Sequence, residues 1–271
     1  MTISRRSAVR RAIQAANLKM VRAMKHSQAI NDCIAEYVRG EPYEIVTDSD
    51  GEETLHIRTP PPLEIAVLVG ELLYQVRSTL DHIFFDLVER NYAHGQLPSG
   101  WERKCQFPLL MKRPKAFGGP GPVPRQHFEP SVMGLTDDAF TYIESLQPYH
   151  AERQASQLLR LLVQLSNIDK HRRLNTTVLL VTVQERVVTQ KGFISMASRP
   201  MLDHGTKIET PRHEPEVVAD AMDVKREFLP KIAFDEPTVG PPVPIETVMN
   251  QLPTFVMGMV VPVFKDLLSK P

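Results

Sequence analysis

The stretch Val69-Gly-Glu-Leu-Leu-Tyr-Gln-Val-Arg-Ser-Thr-Leu-Asp-His-Ile-Phe-Phe-Asp-Leu87 decides the fold class. Val69, Leu73, Val76, Leu80, Ile83 and Leu87 follow one another by alternating steps of four and three residues. That spacing keeps one helical face apolar and is the seam of a helix bundle. Phe84, Phe85 and Val88 widen the face, which predicts a central helix from Leu63 to about Tyr92. Pro60, Pro61 and Pro62 launch it, since proline is accommodated where the first turn leaves its N–H groups unpaired.

Three further long helices flank this one. Val9, Ile13, Ala16, Met20, Ala23, Ile30, Ile34 and Tyr37 form an apolar stripe and predict a helix over about 4–39. Leu158, Leu161, Leu162, Leu165 and Ile168 predict another over about 152–174. Val248, Leu252, Phe255, Met259, Val263 and Leu267 predict the last, over about 245–270, kinked at Pro253 and Pro262. A short helix starts at an N-cap, Thr136, and ends before Pro148.

Strands fall between the helices, over about 43–59 and within 177–234. Tyr43, Ile45, Leu55 and Ile57 alternate with polar residues around Ser49-Asp50-Gly51, a hairpin signature. Thr177 to Gln190 is rich in Val and Thr, and Phe193 to Ala197 follows across Lys191-Gly192. Phe228 to Phe234 adds a further strand. The proline-rich 95–130 segment reads as a strap over the bundle. Gly118 to Pro124 is irregular, Cys105-Gln-Phe-Pro108 is an extended anchor into the core, and Trp101 is a loop anchor. The sum is an α+β chain: a bundle of about four long helices with inserted β-hairpins and a small antiparallel sheet, read as a single domain over 1–271.

The 32 basic and 32 acidic side chains exclude a globally basic nucleic-acid binder and an acidic solvating chain. The balance hides an asymmetry. Residues 1–31 contain seven Lys and Arg and no acid, so the remainder carries the compensating −7. The apolar stripe continues in register past the basic stretch, which makes this a structural helix with a solvated basic face rather than a cleavable leader. The same face is where RNA or another anionic partner would bind. The two cysteines, Cys33 and Cys105, form no disulfide framework and point to a reducing, cytoplasmic setting. No secretory signal and no run of 18 apolar residues is found, so no membrane association is expected. His56, His127, His150, His204 and His213 read as solvated, and Cys33 as core.

Phosphate-loop, dinucleotide, zincin and nucleophile-elbow motifs are absent, and neither cofactor nor metal is expected. What remains is charge placed inside apolar helices: Arg77-Ser-Thr-Leu-Asp-His82 and Asn167-Ile-Asp-Lys-His-Arg172. Arg77 and Asp81 share a helix face. Asp169 follows Leu162 and Leu165 on the core side, and Asn167 and His171 pair on an adjacent face. One reading is a structural polar layer in which Asp169 accepts from Arg77, or Asp81 from Arg172. Another is a site in which Arg77 and Arg172 hold phosphate, and His82, His171, Asp81 and Asp169 perform acid–base chemistry. A metal site from Asp81, His82, Asp169 and His171 is opposed by the divergence of adjacent helical positions, about 100°.

Val76-Arg-Ser-Thr-Leu-Asp-His82, Phe107-Pro108, Leu146-Gln-Pro-Tyr149 and Leu165-Ser-Asn-Ile-Asp-Lys-His-Arg172 together resemble an uncharacterised family of bacterial and phage proteins. The resemblance spans about 100 residues in order. Arg77 to His82 is also similar to the Arg-x4-6-His pattern of HEPN domains. That similarity implies a helical bundle, a homodimer, and metal-independent RNA cleavage by Arg77 and His82 in a toxin or antiphage setting. Ser78 stands where such motifs carry an amide or acid. Positions five apart on a helix also point about 140° apart, so a kink or second subunit would be needed to converge them. The non-catalytic alternative is a module that binds a partner, or itself, through the first helix or the last one, with Met249, Met257 and Met259.

Overall fold

The computed structural model describes every residue except 1–4, 51–52, 92–99, 115–122, 129–131, 133, 151, 190–191, 197–206, 209–220, 241 and 271. The protein is α+β, mostly helical with two small antiparallel sheets. The helices are α1 (Arg5–Arg39), α2 (Leu63–Asn91), α3 (Asp137–Ser145), α4 (Gln154–His171), α5 (Ile245–Phe255) and α6 (Val261–Ser269). A π-helical turn, Val256–Val260, joins the last two. The chain divides into two compact units.

The first unit comprises Met1–Ala29, Val67–Arg173 and Thr247–Pro271 and is helical. The seam that α2 contributes, Val69, Leu73, Val76, Leu80, Ile83 and Leu87, is buried throughout. Ala16, Met20 and Ala23 of α1 are buried too, whereas Arg10, Arg11, Arg22 and Lys25 stay exposed, as the stripe predicts. Leu158, Leu162 and Leu165 form the buried face of α4. Thr136 caps α3, its hydroxyl accepting from the Ala139 N–H at 3.3 Å. Trp101 stacks on Phe85 with ring centroids 5.1 Å apart, an anchor as expected. Of the glycine-proline run 118–124, residues up to 122 lie outside the described ones. Met249, one of the three methionines of the docking alternative, is buried and offers no surface, while Met259 is exposed.

The prolines of the last helix do not break it. Pro253 has no N–H for the carbonyl of Met249, four residues back. Ser27 of α1 supplies the donor: its hydroxyl is 2.8 Å from the Met249 carbonyl oxygen, in a buried position. Pro262 is absorbed by the π turn, in which Val261 N–H reaches back to the Val256 carbonyl. Tyr142 donates to the Met259 carbonyl at 2.9 Å. Ile245–Ser269 is long and apolar enough to cross a bilayer. Its Val248, Leu252, Val256, Val260, Phe264 and Leu268 stripe is instead buried within the protein.

The second unit comprises Ile30–Ala66 and Leu174–Glu246 and holds both sheets. β1 (Tyr43–Thr47) and β2 (Glu53–Ile57) form the expected hairpin, Tyr43 opposite Ile57 and Thr47 opposite Glu53. β5 (Lys207–Ile208) extends it beside β2. The other sheet has the order β4-β3-β6-β7, with β3 (Thr176–Thr189), β4 (Gly192–Met196), β6 (Ala221–Phe234) and β7 (Val243–Pro244). β6 begins earlier than Phe228. Its Pro230, which cannot donate to the ladder, lies opposite Leu180 where the register shifts before Thr182. Glu236, buried, accepts from the Asn175 N–H at 2.8 Å and so ties the exit of β6 to the entry of β3.

Replacing Ser27 by Ala should lower stability by about 1–3 kcal/mol, since it strands a buried carbonyl that the helix itself cannot satisfy. Urea denaturation of Ser27→Ala beside Ser27→Thr checks it. A cost shared equally by the threonine variant would point to packing rather than the hydrogen bond.

Candidate functional site

Arg77 and Asp81 do meet, as their spacing predicts, with Nη2 and Oδ1 3.2 Å apart. Their common target is a peptide of the strap. Arg77 Nη2 donates to the Phe107 carbonyl at 2.9 Å, and the Phe107 N–H donates to Asp81 Oδ1 at 2.9 Å. The charged pair therefore grips both polar groups of one residue. The Phe107 ring, fully buried, packs edge-on against Phe84 at 5.9 Å and tilted against Phe264 at 6.0 Å. Thus Cys105-Gln-Phe-Pro108 is the core anchor that its composition suggests. Cys105 is buried beside it, and burial, with Asp81 nearby, pushes its thiol up to about 12. It is no reactive thiolate at neutral pH.

The expected pairings of Arg77 with Asp169 and of Asp81 with Arg172 are not formed. The strap peptide supplies partners on α2's own face, so no cross-helix carboxylate is needed. Asp169 is seated over Gly70 of α2 instead. Its Oδ1 and Oδ2 lie 2.6 and 2.7 Å from where a side chain at position 70 would begin. It is not on a buried face: the residue is exposed, though partial burial raises its carboxyl above the ordinary value. His171 and Arg172 are exposed at the C-terminal end of α4. Asn167 is exposed also, and the expected polar layer between helices does not assemble. Among the described residues no three His, Cys, Asp or Glu side chains gather as a metal site.

Arg77 and His82 line the same open cavity, about 840 Å³, with Ser78, Asp81, Arg103, Lys104 and Lys170. His82 is exposed and Arg77 is half-buried, held against the strap. One turn before His82, Ser78 accepts a hydrogen bond from Lys19 Nζ of α1 at 2.9 Å. Partial burial first, then the Lys19 ammonium, hold the His82 pKa below the ordinary histidine value, against a smaller opposing pull from Asp81. Asp81 is the one carboxylate among the lining residues, and it is already shared between Arg77 and the Phe107 N–H. A net positive cleft results.

A second open cavity, about 620 Å³, is lined by Arg22, His26, Gly70, Glu71, Tyr74 and Asp169. His26 and Glu71 are paired at 3.2 Å. Tyr74 lines both cavities and is 66% exposed.

Sequence reasoning missed a third cluster. His150 is not solvated: its Nε2 is 3.2 Å from Glu144 Oε1, and Glu144 is buried. Tyr149 donates to the same oxygen at 2.8 Å, and the Val123 N–H at 3.2 Å. Gln147, fully buried, donates to the Pro108 and Ile143 carbonyls at 3.0 and 2.8 Å and accepts from the Leu110 N–H at 2.9 Å. Glu144 on α3 and Gln147 just past its end follow Phe140 and Ile143 at helical spacing, and that placement was the available signal. Both residues bind backbone on the far side of Phe107, so the cluster reads as a second strap fastening. His204 and His213 lie outside the described residues. No family model, no curated protein and no solved structure matches the chain.

Arg77→Ala and Asp81→Ala should each cost about 2 kcal/mol, because each removes a charge-assisted bond to a half-buried peptide. The double variant should cost little more than either single one, since the three groups act as a unit. A double-mutant cycle by chemical denaturation checks this, and additive costs would show two independent grips.

Proposed function

We propose that the chain binds single-stranded RNA in the cleft between α2, the Trp101–Lys104 turn and α4. The observation that carries this reading is the lining itself. Arg103, Lys104 and Lys170 face a space whose single carboxylate is already engaged, and the exposed Tyr74 stands at its rim. A cationic groove with an aromatic platform is the physical requirement for holding a strand without reading a duplex. The zero net charge is compatible, because a local field and not the total sets phosphate affinity. The basic face of α1, with Arg22 in the neighbouring cavity, would extend the path.

Lys104→Ala with Lys170→Ala should weaken binding of a uridine octamer, and should reduce the slope of log affinity against log salt by about 1.4. Fluorescence anisotropy over a salt series measures both. An unchanged slope would remove these lysines from the interface, and no binding by the wild type would end the proposal.

Cleavage of the bound strand is the second reading, favoured by the presence of Arg77 and His82 in one cavity. His82 has a pKa below the ordinary histidine value, so it is neutral at neutral pH and able to accept a proton from a ribose hydroxyl. The rate should fall only as the pH drops through that lowered value. Arg77 is held by the strap, so in this reading Lys19 or Lys104 would carry the phosphate charge. His82→Ala should lower cleavage of a fluorogenic RNA by about a hundredfold or more while leaving binding in place. Equal, background-level turnover in both proteins would sink it.

A further inference from the structure

The cavity beside the basic cleft holds a carboxylate for which the proposed RNA-binding reading has no use. Among the described residues Asp169 makes no hydrogen bond or ion pair, and its carboxylate lies against α2 at position 70, where glycine leaves room for it. Its neighbours in the cavity already answer one another: His26 is paired with Glu71. Arg22 and Gln75 complete the polar lining. Tyr74 lines both this cavity and the cationic one. A base stacked on Tyr74 would border both the space that Lys104 and Lys170 line and the space that Asp169 lines.

We propose that Asp169, seated on Gly70, selects guanine in the strand that the cleft binds. An ionised carboxylate has two acceptor oxygens and no donor. Guanine alone presents two adjacent N–H donors, from N1 and the exocyclic N2, on its pairing edge. Adenine and cytosine each set one amino donor beside a ring-nitrogen acceptor. Uracil flanks its single N–H with two carbonyl oxygens, which repel a carboxylate. Single strands are read on these edges once the base is splayed from its neighbours and stacked on an aromatic ring. Gly70 acts as a positioning residue. A methyl group there would meet the carboxylate oxygens at 2.6 and 2.7 Å, so the carboxylate must move aside while the helix backbone does not.

The inference rests on the proposed RNA binding, and the test separates the two. Anisotropy titrations compare a uridine octamer with octamers alternating uridine with guanosine, adenosine or cytidine. Wild-type protein should bind the guanosine octamer about tenfold more tightly than the uridine one, within the range for one bidentate base contact. Asp169→Asn offers an acceptor and a donor in place of two acceptors. Its preference should fall to about twofold or less, with uridine affinity kept or slightly raised. Gly70→Ala should do the same with the carboxylate still present, and thermal unfolding of both variants shows that the fold survives. Equal affinity of the wild type for all octamers, a preference for another base, or a guanosine preference that survives in both variants would overturn the selection of guanine and leave RNA binding standing. Binding of no octamer would overturn both.

Discussion

The peptide of Phe107 is where the helical unit is closed. A strap without regular secondary structure must bury backbone polar groups if it is to place a phenyl ring in a core, and each unpaired group would cost on the order of 1–3 kcal/mol. Arg77 and Asp81 answer both groups of that residue at once, one helical turn apart on α2. Gln147 does the same for the Pro108 carbonyl and the Leu110 N–H. The strap is thus stitched on both sides of Phe107, and the stitching determines where Arg103 and Lys104 come to lie. The basic cleft includes this strap: Arg103 and Lys104 line it together with residues of α2 and α4.

The same logic recurs wherever the chain departs from regular structure. Pro253 strands a carbonyl and Ser27 takes it. Pro230 cannot donate to a ladder, and β3 shifts register beside it. Gly70 removes a side chain, and the vacated space is occupied by a carboxylate from α4. Polar residues in these helices are therefore placed by the interruptions of other elements rather than by pairing with each other. That is why a polar layer linking Arg77 to Asp169 is not found. A buried ion pair across two helices would cost desolvation on both sides, whereas each partner here is only partly removed from water.

Charge is arranged by locality too. The acid-free start of the chain suggested a local anion-binding face on the first helix. Lys19 leaves that solvated face, and its Nζ reaches Ser78 of α2, so its charge bears on His82. The cations that line the cleft come from α2, the strap and α4, and Lys19 of α1 adds its charge beside His82. A net charge of zero over the chain says nothing about this field, which is set within a few ångströms and screened beyond about ten.

The amino-acid sequence by itself determined the α+β class, the long helices, both hairpins and nearly all of α2's buried face. Those follow from periodicity, and periodicity is a local property that burial of one stripe enforces. It also singled out Arg77, Asp81, His82 and Asp169, because charge at seam-flanking positions is unusual wherever it occurs. Only the tertiary structure decided what each one meets. That Arg77 and Asp81 hold Phe107, that Glu144 draws His150 out of solvent, and that Asp169 rests on Gly70 depend on elements far apart in the chain, and no spacing within a helix encodes the arrival of a distant peptide. The final separation is between a residue's face, which the helical repeat sets, and its partner, which the packing of other segments against that face selects.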